Sequence, residues 1–575
     1  MEIRVSSYKD PWKSASYNAR MRALATFAAV SACAALAFSA QPAPVRFENV
    51  AQEAGLTFTH VGGGTAEKRY IPEVMSGGVC ADDLDGDGWT DIVLVTGGSF
   101  ASAAGRATPP PHGIFRNTGK GRFENVTEKT RITNAGWGMG CVIADYDNDR
   151  DLDIFITNFL VPNQLWRNEG KWTFTEVTKE AGVGGGPGRW NTGATFGDFD
   201  HDGRLDLFVA GYVRMDPNNL PEPEKTPECR HRGLVTNCGP RGLPGERDLL
   251  FRNAGNGRFE PVDGAIDPKS FYGLGAVFLP LGPDGRIELY VANDSTPNAL
   301  YRFADGQPRD HAMESGVALS EEGHEQAGMG IGCGDYDRDG RLDLFVTNFV
   351  DDYNTLYRNL GGGLYEDVTR RMRLAQPAWN YMGWGTGFAD FDHDGRDDLV
   401  VANGHVYPQV DSLELPSKWR MPLQAFMNRG ARGFEELPRD ALPGVAVARG
   451  LALGDFWNDG RLGFVVNNLD GPAAIYRPAA AAGNFIELQL EGKTIPDATG
   501  ALVTIRMPES HVMEYVASGG SYMSSHDRRI HAGVGNAATV RVEIRWPDWT
   551  VQDLGILRTN RRYKVVEGGP AIELP

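Results

Sequence analysis

Residues 83–91 read D-L-D-G-D-G-W-T-D and run directly into the apolar stretch I-V-L-V-T at 92–96. Acids at positions 1, 3, 5 and 9 with glycine at position 6 exceed what a hairpin needs, since one Asp-Gly pair suffices to turn a chain. The string returns at Asp145, Asp147, Asp149 and Asp153 (D-Y-D-N-D-R-D-L-D) and at Asp198, Asp200, Asp202 and Asp206 (D-F-D-H-D-G-R-L-D). Two more copies stand at Asp335, Asp337, Asp339 and Asp343 (D-Y-D-R-D-G-R-L-D) and at Asp390, Asp392, Asp394 and Asp398 (D-F-D-H-D-G-R-D-D). Eroded copies occupy 280–288, which keeps the Asp284-Gly285 turn, and 455–463, where Asp455 and Asp459 survive without acids at positions 3 and 9.

The first positions of these strings lie 62, 53, 82, 55, 55 and 65 residues apart. Two further marks keep the same rhythm: F-R-N and its variants near 115, 166, 251, 301, 357, 427 and 476, and F-E-N-V and its variants from Phe47 to Phe434. Each unit alternates apolar and polar residues in short runs between Gly, Asn and Asp turns, the pattern of a small antiparallel sheet. Units that cannot bury both faces alone pack against one another, so the sequence predicts an all-β fold, a seven-bladed propeller over 41–478. The F-E-N-V at Phe47 precedes its own blade, so the two ends can interlock and leave no open edge. The glycine strings at 136–140, 328–332 and 383–387 are expected on innermost strands near the axis, with Trp137, Met139, Met329, Met382 and Trp384 lining or plugging the channel.

Carboxylates at positions 1, 3, 5 and 9 form an oxygen cage suited to a hard ion of flexible coordination, so about five Ca²⁺ sites are expected. Arg150 stands at the glycine position of the second loop. A left-handed conformation costs a non-glycine residue about 1 kcal/mol, and the cation would lie near the cage, so the Asp145 loop is expected to be the weakest.

These strings resemble FG-GAP (VCBS-type) repeats, known from integrin α-subunit propellers and many exported bacterial proteins. From Asn484 the chain runs N-F-I-E-L-Q-L-E-G, A-T-G-A-L-V-T-I-R, A-S-G-G-S-Y-M-S-S-H-D-R-R-I-H-A-G-V-G-N and V-R-V-E-I-R-W-P-D-W. That pattern is similar to the ASPIC/UnbV domain closing members of the cartilage acidic protein family, whose bacterial branch also has strings like V-A-N-D-S-T-P-N (291–298) and N-G-H-V-Y-P (403–408). The resemblance implies a secreted calcium-binding propeller with a C-terminal β domain. Alternation at Ile486, Leu488 and Leu490 and at Val540, Val542 and Ile544 independently predicts a small all-β domain over 484–573, beyond the link at 477–483. Within it, Gly519–Tyr522 and His526–Arg529 are expected to form a solvated hairpin rather than a binding rim.

From Met21 a short basic start, an apolar core and small residues before Q-P-A-P read as a secretory signal cleaved near Ser39 or Ala40, with the true start at Met1 or Met21. V-S-A-C at 30–33 offers a competing lipoprotein reading with a lipid anchor at Cys33. The expected location is secreted or periplasmic, with no transmembrane span in the mature chain. Cys229 and Cys238, nine apart in a Pro/Gly/Arg-rich insertion, are expected to pair in an oxidising compartment, and Cys80, Cys141 and Cys333 to be buried thiols.

The 575 residues carry 57 Lys+Arg against 75 Asp+Glu, a net charge of −18 that argues against nucleic-acid binding. Twenty of those acids belong to the five intact loops, so the principal cationic partner is expected inside the repeats. Asn158, Asn293, Asn348 and Asn403 recur at equivalent positions and are expected on one face, either as a ligand surface for an extracellular or envelope protein or glycan, or as turn residues. Hydrolase, zincin, nucleotide and dinucleotide motifs are absent from the sequence, which favours a binding scaffold. The alternative is a propeller enzyme acting on a polysaccharide or secondary metabolite, with His405, Tyr407 and Asp294 as acid/base candidates; it requires His405 and a carboxylate to converge in a deep pocket.

Overall fold

The computed structural model describes residues 45–575, apart from 120, 263, 265, 267–270, 283–285 and 305–306. The signal sequence, Cys33 and the Asp284 turn therefore lie outside the described residues.

Seven four-stranded antiparallel sheets follow one another along the chain, with a β-propeller arrangement. Their innermost strands are Val79–Asp82, Gly138–Ala144, Asn191–Gly197, Gly273–Leu279, Ile331–Gly334, Gly383–Ala389 and Ala448–Gly454. Each neighbours the next, and the seventh neighbours the first. Closure also occurs at the outer edge, where the first F-E-N strand, Phe47–Asn49, pairs antiparallel with Ala474–Pro478 and completes the seventh sheet. Phe47 is buried there between Phe391 and Phe464.

From Asn484 two further four-stranded sheets enclose a core of Ile486, Leu488, Val503, Ile505, Val542 and Ile544. One segment of this domain departs from the sequence expectation. Residues 518–527 do not form a solvated hairpin; they enter the propeller axis and hydrogen-bond to the innermost strand of every sheet. Ser525 N–H donates to Val79 O at 3.2 Å, Cys141 N–H to Met523 O at 3.2 Å, and Phe196 N–H to Ser518 O at 3.2 Å. Gly520 N–H donates to Ala276 O at 3.2 Å, and Ser521 N–H to Ile331 O at 2.7 Å. Ser521 Oγ accepts from Thr386 N–H and donates to Leu451 O, while Asp527 N–H donates to Leu453 O.

The reason is steric. The ring is wide enough for one strand of small residues, and its own glycines make room: a Cβ on Gly140 would lie 2.6 Å from Met523 Cβ. Above this plug, Trp137, Met139, Met329, Met382 and Trp384 pack in one cluster with Tyr522 and Met523, as the glycine strings predict. Arg449, which the sequence reading did not single out, is buried beside them. Its guanidinium carbon lies 4.0 Å from the Trp384 ring centre, and it donates to the carbonyls of Val74, Gly404, Ala448 and His405.

Adjacent innermost strands also correct the cysteine expectation. Cys80 and Cys141 occupy neighbouring strands side by side and form a disulfide with Cα atoms 6.1 Å apart. Cys229 and Cys238 pair as expected, and Cys333 is free.

Two arginines fasten the plug. Arg528 pairs with Asp82 and Asp497, each at 2.7 Å, and Arg529 pairs with Asp527 at 2.5 Å and Glu487 at 3.1 Å. All of these groups are buried or nearly so, which makes removal of one partner costly. Arg529→Met is expected to destabilise the protein by about 3–5 kcal/mol, because Asp527 would lose its counter-charge while Glu487 would keep only Arg562. Denaturant unfolding checks this; a midpoint unchanged within error would show that the pair does not hold the domain in place.

Candidate metal centres

Each acidic loop joins an innermost strand to its neighbour, and backbone donors aim the carboxylates inward. In the first loop Asp83 accepts from the N–H groups of Asp87 at 3.0 Å and Gly88 at 2.7 Å. Asp91 accepts from Leu84 N–H at 2.9 Å with one oxygen and from Asn117 N–H at 2.7 Å with the other. Asp87 is held by Trp89 N–H. The pattern recurs in the loops at Asp145, Asp198 and Asp390, and in the loop at Asp335 except that Asp339 Oδ1 and Asp343 Oδ2 accept no bond.

Carboxylate oxygens of positions 1, 3 and 9 lie within 4.8 Å of one another in four loops: Asp83, Asp85 and Asp91; Asp145, Asp147 and Asp153; Asp198, Asp200 and Asp206; Asp390, Asp392 and Asp398. In the fifth sheet the group is Asp335, Asp337 and Asp339. The other expected ligands, Asp87, Asp149, Asp202, Asp343 and Asp394, stand in the same loops outside these tightest groups. Several buried oxygens accept no hydrogen bond, namely Oδ1 of Asp85, Asp147, Asp200 and Asp339 and Oδ2 of Asp343. Buried polar atoms are ordinarily satisfied, so this recurring set fits a bound cation. All the donors are oxygens, which suits a hard ion.

Burial and mutual repulsion perturb these acids. Burial first, then neighbouring carboxylates, pushes Asp83 and Asp145 up to about 7 and Asp335 up to about 8. Asp91, Asp153, Asp206, Asp343 and Asp398 are raised well above the usual carboxylate range, with burial the largest cause.

Positions 4 and 6 both take positive φ. Position 6 is Gly88, Arg150, Gly203, Gly340 and Gly395, and position 4 is Gly86, Asn148, His201, Arg338 and His393. The sequence reading anticipated only position 6. Arg150 does hold the left-handed conformation, at φ 79°, but its guanidinium turns out of the cage to Glu491 at 2.9 Å. Of the two reasons for a weak second site, only the backbone cost stands.

The Arg-Asn mark now has a physical role. In two blades its arginine pairs with the loop, Arg116 with Asp85 and Asp87 and Arg358 with Asp337 and Asp339; Arg167 and Arg252 pair instead with Glu169 and Glu260, and in the sixth blade Arg429, which follows its asparagine, reaches Asp392. The asparagine of the mark staples its blade to the previous one. Asn117 Nδ2 donates to Phe456 O, Asn168 to Leu84 O, Asn253 to Tyr146 O and Asn428 to Tyr336 O, each at 2.8 Å. Blade four has Phe303 at that position and blade seven Pro478, the same two blades whose acidic loops are eroded. In the seventh loop Arg461 and Arg477 both bind Asp459, so guanidinium groups neutralise the acid there, and among the described residues that loop gathers no three-carboxylate group.

The four asparagines expected on a ligand face are buried. Asn158 Nδ2 donates to Pro162 O, Asn293 to Pro297 O, Asn348 to Tyr353 O and Asn403 to Pro422 O. Their amide nitrogens hold these carbonyls, while the Oδ1 atom of each is buried and accepts no hydrogen bond. Of the enzyme candidates, His405 and Tyr407 have ring centres 5.3 Å apart and Tyr407 and Asp294 line one cavity, but among the described residues His405 has no carboxylate hydrogen-bonded to it. His405 Nδ1 accepts the N–H groups of Val406 and Tyr407, both at 3.0 Å, and burial lowers its pKa to about 3. Asp294 is instead bound by Tyr212 Oη at 2.7 Å and Ser295 Oγ at 2.9 Å. The sequence offered no signal for Tyr212, which lies a full blade away from Asp294.

With the loops and the C-terminal sheets in place, the chain was compared with known proteins. The FG-GAP-like repeat family matches residues 83–156, 151–209 and 335–401, and the ASPIC and UnbV family matches 491–571. The chain carries FG-GAP-like repeats followed by an ASPIC/UnbV domain. It is similar to cartilage acidic protein 1 from Mus musculus, at 24% identity over 63% of this chain and 71% of that protein. The Homo sapiens protein is 23% identical over 70% of this chain and 76% of its own length. Among solved structures, an Agrocybe aegerita lectin described as recognising non-reducing terminal N-acetylglucosamine aligns with 69% of this chain and 86% of its own, at TM-score 0.38 and 16% identity. A BBS1N structure in complex with ARL6DN, soaked with lead, covers 74% of this chain and 98% of its own at TM-score 0.38 and 11% identity.

Asn117→Ala in the first FG-GAP repeat leaves Thr90 O and Phe456 O without their donor. A loss of about 1–3 kcal/mol is expected by urea denaturation, against less than 0.5 kcal/mol for an exposed control such as Glu124→Ala. The loop acids set a pH dependence as well. The folded pKa values of Asp83, Asp91, Asp145, Asp153, Asp206, Asp335, Asp343 and Asp398 lie above the unfolded value of about 3.9, so at these groups the metal-free fold binds more protons than the unfolded chain and loses stability as pH rises. In excess chelator the melting temperature is expected to fall between about pH 5 and pH 8, a slope that saturating divalent cation flattens; a chelated protein melting identically at both pH values would contradict this.

Proposed function

We propose that the protein is an exported scaffold whose FG-GAP repeats are loaded with calcium and whose surface binds a protein or polysaccharide. The observation that carries the metal reading is the repeated convergence of three carboxylates with buried oxygens that accept no hydrogen bond. With oxygen donors only, zinc and copper sites are disfavoured, and the geometry of short loops with backbone support suits Ca²⁺ better than the rigid octahedron of Mg²⁺. Two disulfides support an oxidising compartment, and no helix among the described residues is long and apolar enough to cross a membrane. The relatives named above support an extracellular setting. A scaffold is favoured over an enzyme because His405 has no carboxylate partner and Asp294 is engaged by Tyr212.

Calorimetric titration of chelator-treated protein is expected to show about five Ca²⁺ per chain, and Asp91→Asn to remove one. Free calcium at one hundred times Kd adds about 2.7 kcal/mol per site, so the melting temperature rises with calcium. No saturable binding, or no change in melting, would overturn the calcium reading. Screening the calcium-loaded protein against glycans and envelope proteins tests the scaffold reading.

A further inference from the structure

The face opposite the acidic loops holds a cavity of about 910 Å³, within the range of small-molecule sites. Its floor is the axial cluster, with Met75, Met329, Met382 and Trp384 lying above the Tyr522 plug. Its roof is the insertion of the third blade, closed by the Cys229–Cys238 disulfide. That insertion reaches across the axis: Asn237 donates to Lys68 O and Val406 O, and Arg232 pairs with Asp351.

The wall is largely apolar and aromatic, with polar side chains at Asn237, Asp294, Ser295, Gln326 and Asp352. Asp294 lies between Tyr212 and Ser295, each donating one hydrogen bond to a different carboxylate oxygen. It is thus fixed in orientation, retains accepting capacity and, among the described residues, forms no salt bridge; the nearest cation acting on it is Arg241 of the roof. The exposed rim carries Glu228 and Glu325 against Arg241, with Asp351 already paired to Arg232. Aromatic faces and a carboxylate in a desolvated site favour a cation, and methionines adapt to an apolar body of irregular shape.

We infer that this cavity is a binding site for a small organic cation, an ammonium carried on an aromatic or alkyl body, with Asp294 as counter-charge and the methionine–tryptophan floor holding the body. The site goes beyond the scaffold reading and is independent of the acidic loops. It also gives the insertion a role beyond covering the axis.

The test uses full-length, calcium-loaded protein and three probes of similar size: benzyltrimethylammonium, benzyl alcohol and 3-phenylpropionate. Binding is followed by calorimetry and by tryptophan fluorescence, with the Ca²⁺ stoichiometry measured on the same samples. The cationic probe is expected to bind at least about tenfold more tightly than the other two. Asp294→Asn preserves the shape and an acceptor for Tyr212, and is expected to weaken the cation about tenfold without changing calcium stoichiometry. Leu243→Arg places a fixed cation in the roof and is expected to weaken it as well, which guards against an Asp294 variant that folds poorly. Equal affinity for all three probes, preference for the neutral or anionic probe, or full binding by both variants would overturn the inference. The calcium measurement separates that outcome from failure of the scaffold reading.

Discussion

Like charge held at short range is the constraint around which this molecule is organised. Each intact loop brings three carboxylates within a few ångströms, and the surrounding structure is arranged to tolerate them. Backbone N–H groups fix both oxygens of the first acid in every intact loop and of the last acid in all but the Asp343 loop, and in the first and fifth blades the arginine of the Arg-Asn mark neutralises the outer side. The neighbouring asparagine uses the carbonyls exposed by the loop to join one sheet to another. Loop, arginine and asparagine are therefore one device. Where the loop has decayed, in blades four and seven, the asparagine is lost too and guanidinium or other pairs take over.

Much of this was legible in the sequence because it repeats. The nine-residue string, its spacing and its alternating strands identify the sheets, and the first F-E-N-V anticipates the interlocked ends. What escaped the reading was set by long-range packing. No local pattern in A-S-G-G-S-Y-M-S-S-H-D shows that it enters a ring made 50 to 450 residues earlier, and its small polar residues read equally as a solvated turn. The Cys80–Cys141 pair was partly visible, since both cysteines stand three or four residues before consecutive acidic strings. The asparagines of the rim were read as two alternatives; in the structure each is buried and each amide nitrogen finds a carbonyl four or more residues on.

The two faces of the ring are treated differently. The acidic loops face the C-terminal domain, and position 4 of the string makes much of the contact. Asn148 donates to Thr494 O, His201 stacks edge-on to Trp549, Arg338 reaches Ser510, His393 packs on Phe485, and Asn458 accepts from Arg529. These residues hold a left-handed backbone that glycine would adopt at lower cost. Glycine has no side chain with which to reach the second domain, so the strain at position 4 is coupled to docking. The other face is covered by the disulfide-closed insertion of one blade, which leaves the cavity between roof and axis.

The order in which the chain is completed gives these contacts a temporal meaning. The strand at Phe47–Asn49 has no partner until residues 474–478 exist, and the axis has no filling until residues 518–527 arrive. A chain delivered from its N-terminus, through a ribosome or a membrane pore, thus cannot close its ring until nearly all of it has emerged. Long-range closure of this kind slows folding, and the final segment acts as the latch.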